Sequence, residues 1–208
     1  MKAVITERDV PLSGELRISA GAIVTPSARD AARVRGVRII EVAADQLQPA
    51  ARPDRVIAIG SDHGGFEMKE SLKPIIVELG LVPRDVGVYE NKPADYPDIA
   101  EKVGEAILKS EAARGVIVDG AGIGSAIAAN KMPGIRAALC YDKASARNSR
   151  EHNDSNVLTL GGRLLTQSQA DDVLRTWLST PFAGGRHSGR VNKISSIEQR
   201  YANWKPQN

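Results

Sequence analysis

Residues 116–131, with the sequence VIVDGAGIGSAIAANK, decide the fold class, because they join a strand to a helix through a glycine-rich turn. The apolar run 116–118 predicts a buried strand that ends at Asp119, and Gly120, Gly122 and Gly124 precede an alanine-rich helix. Glycines at this spacing let successive backbone N–H groups point at one anion, helped by the helix N-terminus. The same turn can also join a strand to a helix with no ligand bound. The residues alone leave both interpretations open.

This strand and helix belong to a pattern that continues from residue 55 onward, in which short apolar runs alternate with amphipathic stretches. Such alternation is typical of β-α units on a parallel sheet, and it predicts a Rossmann-like three-layer α/β sandwich with a five-stranded parallel sheet. The predicted strands are Val56–Gly60, Val82–Val86, Gly115–Asp119, Arg136–Cys140 and Val157–Gly161. The predicted helices are Phe66–Leu79, Tyr96–Lys109, Gly124–Lys131, Lys143–His152 and Gln167–Leu178.

A last amphipathic helix, Arg190–Tyr201, has no strand after it and can pack on the sheet or on a second subunit. In the sheet, parallel strands joined by right-handed crossovers bring all their carboxyl ends to one edge. Ligands of open α/β sheets bind at that edge, so we expect the site in the loops there.

The first fifty residues have a different pattern and predict a small N-terminal extension. Thr25 is suited to cap a helix, Pro26 to open it and Gly36 to end it, and the strand-like VRIIEVA follows. The stretch QLQPAARPDR, rich in Pro and Ala, is typical of a linker. We therefore predict an extension and linker over residues 1–53 and a second domain over residues 54–208.

Composition excludes several classes of protein. With 42% hydrophobic and 25% charged residues, the 208-residue chain is typical of soluble globular proteins. No long apolar run predicts a membrane span, and the charged start MKAVITERDV does not fit a secretory signal, so a cytoplasmic protein is expected. A net charge of +3 and 4% aromatic residues argue against nucleic-acid binding. The single cysteine, Cys140, excludes an internal disulfide, and its apolar context favours a buried side chain.

Histidines and arginines mark the candidate site. His63, His152 and His187 all follow or precede small or charged residues, which is typical of polar loops. Arg163 follows the fifth predicted strand, and Arg186 and Arg190 are four residues apart, so they share one helical face and can fork a phosphate. A solvated basic face is the other interpretation of the last two, but the three arginines with the histidines favour phosphate binding.

Five segments, taken in chain order, resemble the ribose-5-phosphate isomerase B family, which includes the galactose-6-phosphate isomerase subunits. They are SDHGGFEMK, ADYPDIA, DGAGIGSAIAANK, REHNDSNVLTLGGR and GGRHSGRV, and the resemblance covers about residues 55–201. It implies an enzyme without a metal or other cofactor that interconverts an aldose phosphate and a ketose phosphate through an enediolate. It also implies a homodimer or tetramer whose active site is shared between two subunits.

The resemblance assigns roles to individual residues. Asp62 would hold the sugar hydroxyls, Tyr96 and Asn153 would contact the sugar, and His152 would help to open the furanose ring. His63 would face the phosphate. The loop that stabilises the enediolate oxygen would be formed by Gly120, Gly122 and Gly124. The phosphate clamp would be formed by Arg163, Arg186 and Arg190.

The residue that abstracts the proton departs from the family pattern. One branch of the family has a cysteine base at the position of Asp119, and another has a glutamate at the position of Ser125. Serine without an activating partner is a poor base, which disfavours Ser125 in this role. Our hypothesis from sequence is that Asp119 is the base, with burial raising its proton affinity. The alternative is that Asp119 accepts hydrogen bonds from its own loop in a protein that binds sugar phosphates without isomerising them.

The segment AIVTPSARDAARVRGVRIIEV, residues 22–42, resembles a short module of proteins associated with bacterial microcompartments. The resemblance implies that residues 1–50 direct the protein to a shell or cargo protein. The other interpretation is an extension that packs on its own subunit. A nucleotide-binding module is a third function class, but the glycine loop lacks the lysine of a P-loop and no suitably placed acidic residue follows it. We therefore expect an isomerase of ribose 5-phosphate and ribulose 5-phosphate, although a tetrose or hexose phosphate fits the same motifs.

Overall fold

The structure, a computed structural model, describes residues 4–42 and 53–203. Contacts between Cα atoms divide the chain into two compact units, Met1–Arg52 and Pro53–Asn208. Most of the predicted linker QLQPAARPDR lies outside the described residues. No helix of the described ranges is long and apolar enough to cross a membrane.

The described residues of the first unit form two short parallel strand pairs, one α-helix and a 3-10 turn at Glu7–Asp9. Its elements are β1 (Val4–Ile5), β2 (Glu15–Ser19), β3 (Ile23–Val24), α1 (Pro26–Arg35) and β4 (Arg38–Val42). Strand β1 pairs with β3 and β2 with β4, both parallel. As predicted, Thr25 caps α1 by accepting a hydrogen bond from Ala28 N–H, Pro26 opens the helix, and Gly36 ends it with φ +66°. The unit has a core of its own, formed by Val10, Leu16, Ile18, Ala28, Ala31, Ala32 and Val37.

The second unit is a three-layer α/β sandwich around a five-stranded parallel sheet. Its strands are β5 (Val56–Ser61), β6 (Val82–Asp85), β7 (Arg114–Asp119), β8 (Ala137–Leu139) and β9 (Val157–Gly161). They lie in the order β6-β5-β7-β9-β8, and every neighbouring pair is parallel. The helices are α2 (Phe66–Glu78), α3 (Tyr96–Leu108), α4 (Ile123–Ala129), α5 (Lys143–Asn153), α6 (Gln167–Ser179) and α7 (Arg186–Tyr201). The fold class predicted from the sequence is confirmed.

Alternating residues of the central strands pack on the two faces of the sheet. Ile57 and Ile59 of β5 belong to one buried cluster with side chains of α2 and α6, including Leu72 and Trp177. On the other face, a methyl group added at Gly115 would overlap Val103 of α3, which shows how closely that helix lies on β7. Apart from the partly exposed Arg114 at the start of β7, the central strands are buried throughout, as is expected of parallel strands covered on both faces.

The predicted and observed elements agree to within about two residues at most ends, with one exception. Helix α7 begins at Arg186, one turn before the predicted start at Arg190. The glycines of GGRHSGR made this segment look like a loop. Gly184 and Gly185 do have positive φ and precede the helix, whereas Gly189 lies inside it.

Candidate active site

Three loops meet at the carboxyl edge of the sheet, and glycines let their backbones touch. They follow β5, β7 and β9. Gly65 lies against β7 so closely that an added methyl group would overlap the carbonyl of Val118. A methyl group at Gly162 would lie 2.8 Å from the carbonyl oxygen of Gly64, so the first and third loops are also in contact. The side chains of these three loops therefore lie close together at the carboxyl edge of the sheet.

Five of the predicted site residues lie in this group, which we call the loop group: Asp62, Tyr96, Gly120, Gly124 and Arg163. A methyl group added at Gly64 would lie 3.2 Å from both Asp62 Oδ1 and the Gly120 nitrogen. The Arg163 side chain passes over Gly120, its Cδ 3.7 Å from where a Gly120 methyl group would be. The Tyr96 ring covers Gly124 in the same way, at 2.6 Å. The exposed His63 follows Asp62 directly.

The Asp119 carboxylate lies inside the glycine turn and is held there by the turn itself. Its Oδ1 accepts hydrogen bonds from the N–H groups of Ala121 and Gly122. Its Oδ2 accepts from Ser125 N–H at 3.0 Å and from Ser125 Oγ at 2.5 Å. Asp119 is 4% exposed and Ser125 is fully buried. The anion that these backbone N–H groups bind is therefore the protein's own carboxylate.

Asp62 is the second buried carboxylate of the site, and its two oxygens differ. Oδ1 accepts hydrogen bonds from Gly64 N–H at 2.8 Å and Gly65 N–H at 3.0 Å. Oδ2 accepts none of the hydrogen bonds found among the described residues. Burial raises the pKa of Asp62, the two N–H donors oppose that shift, and the charge of Asp119 adds to it. Asp62 is thus a fixed carboxylate with one free oxygen.

A second set of predicted residues surrounds a pair of stacked histidines, and we call it the histidine group. It contains His152 and Asn153 at the end of α5 and Arg186, His187 and Arg190 at the start of α7. The rings of His152 and His187 are parallel within 5°, with centroids 4.2 Å apart. Asn148 Nδ2 lies 2.9 Å from His152 Nδ1. Between the two groups, the described residues show no hydrogen bond or ring contact.

The sequence profile of the Ribose/Galactose Isomerase family matches residues 57–194 of this chain. The chain belongs to that family. The ribose-5-phosphate isomerase B of Escherichia coli (strain K12) is 42% identical over 144 residues, which are 69% of this chain and 97% of that protein. The D-erythrulose-4-phosphate isomerase of Pectobacterium atrosepticum is 35% identical over 148 residues, 69% of this chain and 95% of that protein.

A solved ribose-5-phosphate isomerase B from Clostridium thermocellum superimposes on this member of the isomerase family with a TM-score of 0.69. It is 47% identical, and the match covers 70% of this chain and 99% of that one. The loop group, the histidine group and the sheet, except for its first residue Val56, lie inside the range matched by the family profile. Met1–Arg52 lies before that range.

Sequence reasoning gave no role to two buried residues of this isomerase domain. His187 was counted among the histidines that mark the candidate site but received no role of its own, yet it is 7% exposed and stacks on His152. Its position directly after Arg186 is the signal that could have found it. The expectation that all three histidines lie in loops needs correction, since His152 and His187 lie in helices. The segments around His152 and His187, whose sequences are typical of polar loops, are the ends of helices.

Lys69 is the other residue that received no role, although it is the lysine of the motif SDHGGFEMK. It is fully buried, and its Nζ donates to Asp85 Oδ2 at 2.7 Å and to the Val88 carbonyl at 2.6 Å. The loop that it holds pairs with Ser61, because Val88 N–H donates to the Ser61 carbonyl. Lys69 therefore fixes the backbone next to Asp62. A buried charge of this kind is expected only when it is paired.

Proposed function

We propose that the protein is an aldose-ketose isomerase that interconverts ribose 5-phosphate and ribulose 5-phosphate. The observation that carries the proposal is the loop group, which places a buried carboxylate, an arginine and a tyrosine at the carboxyl edge of the sheet in a member of this isomerase family. An isomerisation through an enediolate needs a base and groups that fix the sugar and its phosphate.

The overall reaction moves hydrogen within the sugar and needs no oxidant or reductant. A base takes the proton from C2 of the aldose while the electrons pass to the carbonyl oxygen on C1. The resulting enediolate is protonated at C1, and the C2 hydroxyl loses its proton to become the ketone. Asp62 supplies a carboxylate and Arg163 a positive charge within the loop group, and the Asp119 carboxylate lies beside this group inside the glycine turn.

Substrate length is tested with a coupled assay of the purified protein against four-, five- and six-carbon sugar phosphates. We expect turnover of ribose 5-phosphate to exceed that of a tetrose or hexose phosphate. A preference for a tetrose phosphate would move the assignment toward the activity named for the Pectobacterium relative. Binding of all these sugars without turnover would contradict the proposed isomerase and support a sugar-phosphate-binding protein.

The active site is proposed to be complete only in a homodimer or a tetramer, where the histidine group of one subunit faces the loop group of another. Within one chain the two groups share no hydrogen bond or ring contact in the described ranges, which supports this arrangement. His152 and Asn153 would then meet the sugar held by Asp62 and Tyr96. His63 and the three arginines, Arg163, Arg186 and Arg190, would surround the phosphate.

Subunit complementation tests the shared site. Asp62→Asn and His152→Ala variants are each expected to be inactive, since each removes one half of every site. Co-expressed subunits form mixed dimers with one intact site, so about a quarter of the wild-type activity should return. Two Asp62→Asn subunits carrying different purification tags are the matched control and should stay inactive. Failure of the mixed dimers to recover activity would show that each site lies within one chain.

For the first unit we propose an interaction role, as a module that directs the enzyme from the cytoplasm to a microcompartment shell or to another cargo protein. Its separate core supports a module rather than a tail that packs on the isomerase domain. Deleting residues 1–50 should leave activity and assembly unchanged and abolish co-localisation with shell proteins. Loss of activity in the deletion variant would contradict this role.

A further inference from the structure

The four hydrogen bonds to Asp119 leave it no free oxygen lone pair. An ionised carboxylate has about four acceptor positions, and four donors fill them here: three backbone N–H groups and the Ser125 hydroxyl. To take a proton from a substrate carbon, Asp119 would have to release one of these donors. The Gly122 N–H, the Ser125 N–H and the Ser125 hydroxyl are buried, so releasing any of them would leave a buried donor without this partner, which is costly. The geometry therefore indicates that Asp119 stabilises the conformation of the glycine turn.

Asp62 has the property that Asp119 lacks. Its Oδ1 is fixed by two N–H donors, which set the orientation of the carboxylate, and Oδ2 has no hydrogen-bond partner among the described residues. The side chain is 8% exposed, so water competes little for that free oxygen. A methyl group added at Gly64 would lie 3.2 Å from both Oδ1 and the Gly120 nitrogen, so the carboxylate lies near the start of the glycine turn.

The surroundings of Asp62 raise its pKa above the ordinary value for an aspartate, so its carboxylate holds a proton more readily than a free one. Burial is the largest cause that raises its pKa, and the negative charge of Asp119 raises it further. The N–H groups of Gly64 and Gly65 and the charge of His63 act in the opposite direction, and the net shift is upward. Two carboxylates with different surroundings can divide the work of a site between a base and a fixed charge.

We propose that Asp62, through its free Oδ2, is the general base that carries the proton between C2 and C1, and that Asp119 and Ser125 are positioning residues. This inference rests on the proposed isomerase function. Asp62 removes the C2 proton and becomes a carboxylic acid, the C1–C2 double bond forms, and the C1 oxygen takes the negative charge. The hydroxyl proton on O2 then passes to O1, and Asp62 returns its proton to C1. Every proton and electron pair is accounted for within the sugar and Asp62.

The test begins with wild-type protein in deuterated water, where exchange at C2 and turnover of ribose 5-phosphate are measured first. Absence of both with every sugar phosphate would overturn the proposed function itself. With an active wild type, Asp62→Asn should lower kcat by a factor of about 10²–10⁴, the usual contribution of a general base. The amide oxygen of asparagine can accept the bonds from Gly64 and Gly65, so the loop is expected to stay folded.

Saturating substrate separates a base from a residue that only holds sugar hydroxyls. Loss of the base lowers kcat at saturation, whereas loss of a holding contact mainly raises KM. Binding of inorganic phosphate, measured by calorimetry, should be unchanged in Asp62→Asn, and Asp62→Glu should recover part of kcat. Asp62→Asn that keeps kcat within tenfold of wild type would overturn the assignment.

Ser125→Ala is the matched variant for Asp119. It removes one hydrogen bond to the Asp119 carboxylate, so it would move the acid limb of the kcat/KM profile to higher pH if Asp119 were the base. With Asp62 as the base, the acid limb should stay within a few tenths of a pH unit of the wild type. A clear upward shift in Ser125→Ala would overturn the inference and return the role to Asp119.

Discussion

Gly65 shows how a single residue determines whether the site can form. An added methyl group would overlap the carbonyl of Val118, and the backbone of a central strand cannot move aside without disturbing the sheet. Gly120, one loop away, has room for the same methyl group, since its nearest neighbour is the flexible Arg163 side chain at 3.7 Å. The two glycines therefore differ in their tolerance of an identical change.

Gly65→Ala is expected to lower the free energy of unfolding by about 1–3 kcal/mol or more, the usual cost of overpacking. Gly120→Ala should change it by less than about 0.5 kcal/mol, as substitutions without a clash do. Urea denaturation of both variants provides the comparison. Equal stability of the two proteins would show that the β5 and β7 loops are not in contact as described.

Among the elements, the contact between α5 and α7 includes the stacked rings of His152 and His187, and a proton on His187 is disfavoured there. Burial lowers the pKa of His187, and the charges of His152, Arg186 and Arg190 lower it further, against the opposing charge of Glu151. Above the unfolded value of about 6.5, His187 is neutral in both states. Below it, the unfolded chain binds a proton that the folded chain resists, so stability falls as the pH falls.

Hydrogen exchange of the α7 amides checks this pH dependence. Wild-type α7 should exchange faster at pH 5.5 than at pH 7.5 once the intrinsic effect of pH is removed. His187→Phe keeps a flat, buried ring that does not titrate, so its α7 amides should lose most of the difference. His63→Gln, which changes an exposed histidine outside this contact, should behave like wild type. An unchanged difference in His187→Phe would rule out His187 as the titrating group.

The elements were also the level at which the sequence was most informative. Alternating apolar runs and helical stretches located every strand of the large sheet, because each central strand is mostly apolar and lies between polar loops. The start of α7 was placed too late, since Gly189 looks like a loop residue unless its neighbours are known. The bonding of Asp119 could not be predicted, because it depends on the left-handed φ of +79° at Gly122. Residue types give candidates for a site, but loop conformation decides which atoms are free.

At the scale of the whole molecule, the chain consists of two units with separate cores. Leu16 is 3% exposed in the core of the first unit, whereas Leu12 of the same unit is 68% exposed. Because each unit has a core of its own, we expect damage to the first core to leave the isomerase domain folded.

Leu16→Ala should destabilise the first unit by about 2–5 kcal/mol and leave the isomerase activity unchanged. Leu12→Ala is the control and should change neither property. Calorimetry and limited proteolysis measure the stability of the two units, and the activity assay measures isomerase activity in the same sample. A parallel loss of activity in Leu16→Ala would contradict the independence of the cores.

The buried Cys140 is the single cysteine of the chain and is 1% exposed, and burial raises the pKa of its thiol. A thiol-specific reagent therefore has one target, which it reaches only when the α/β sandwich opens. When such a reagent is applied in timed pulses, the rate of Cys140 labelling therefore measures how often the isomerase domain opens. Leu16→Ala should leave the rate of Cys140 labelling unchanged.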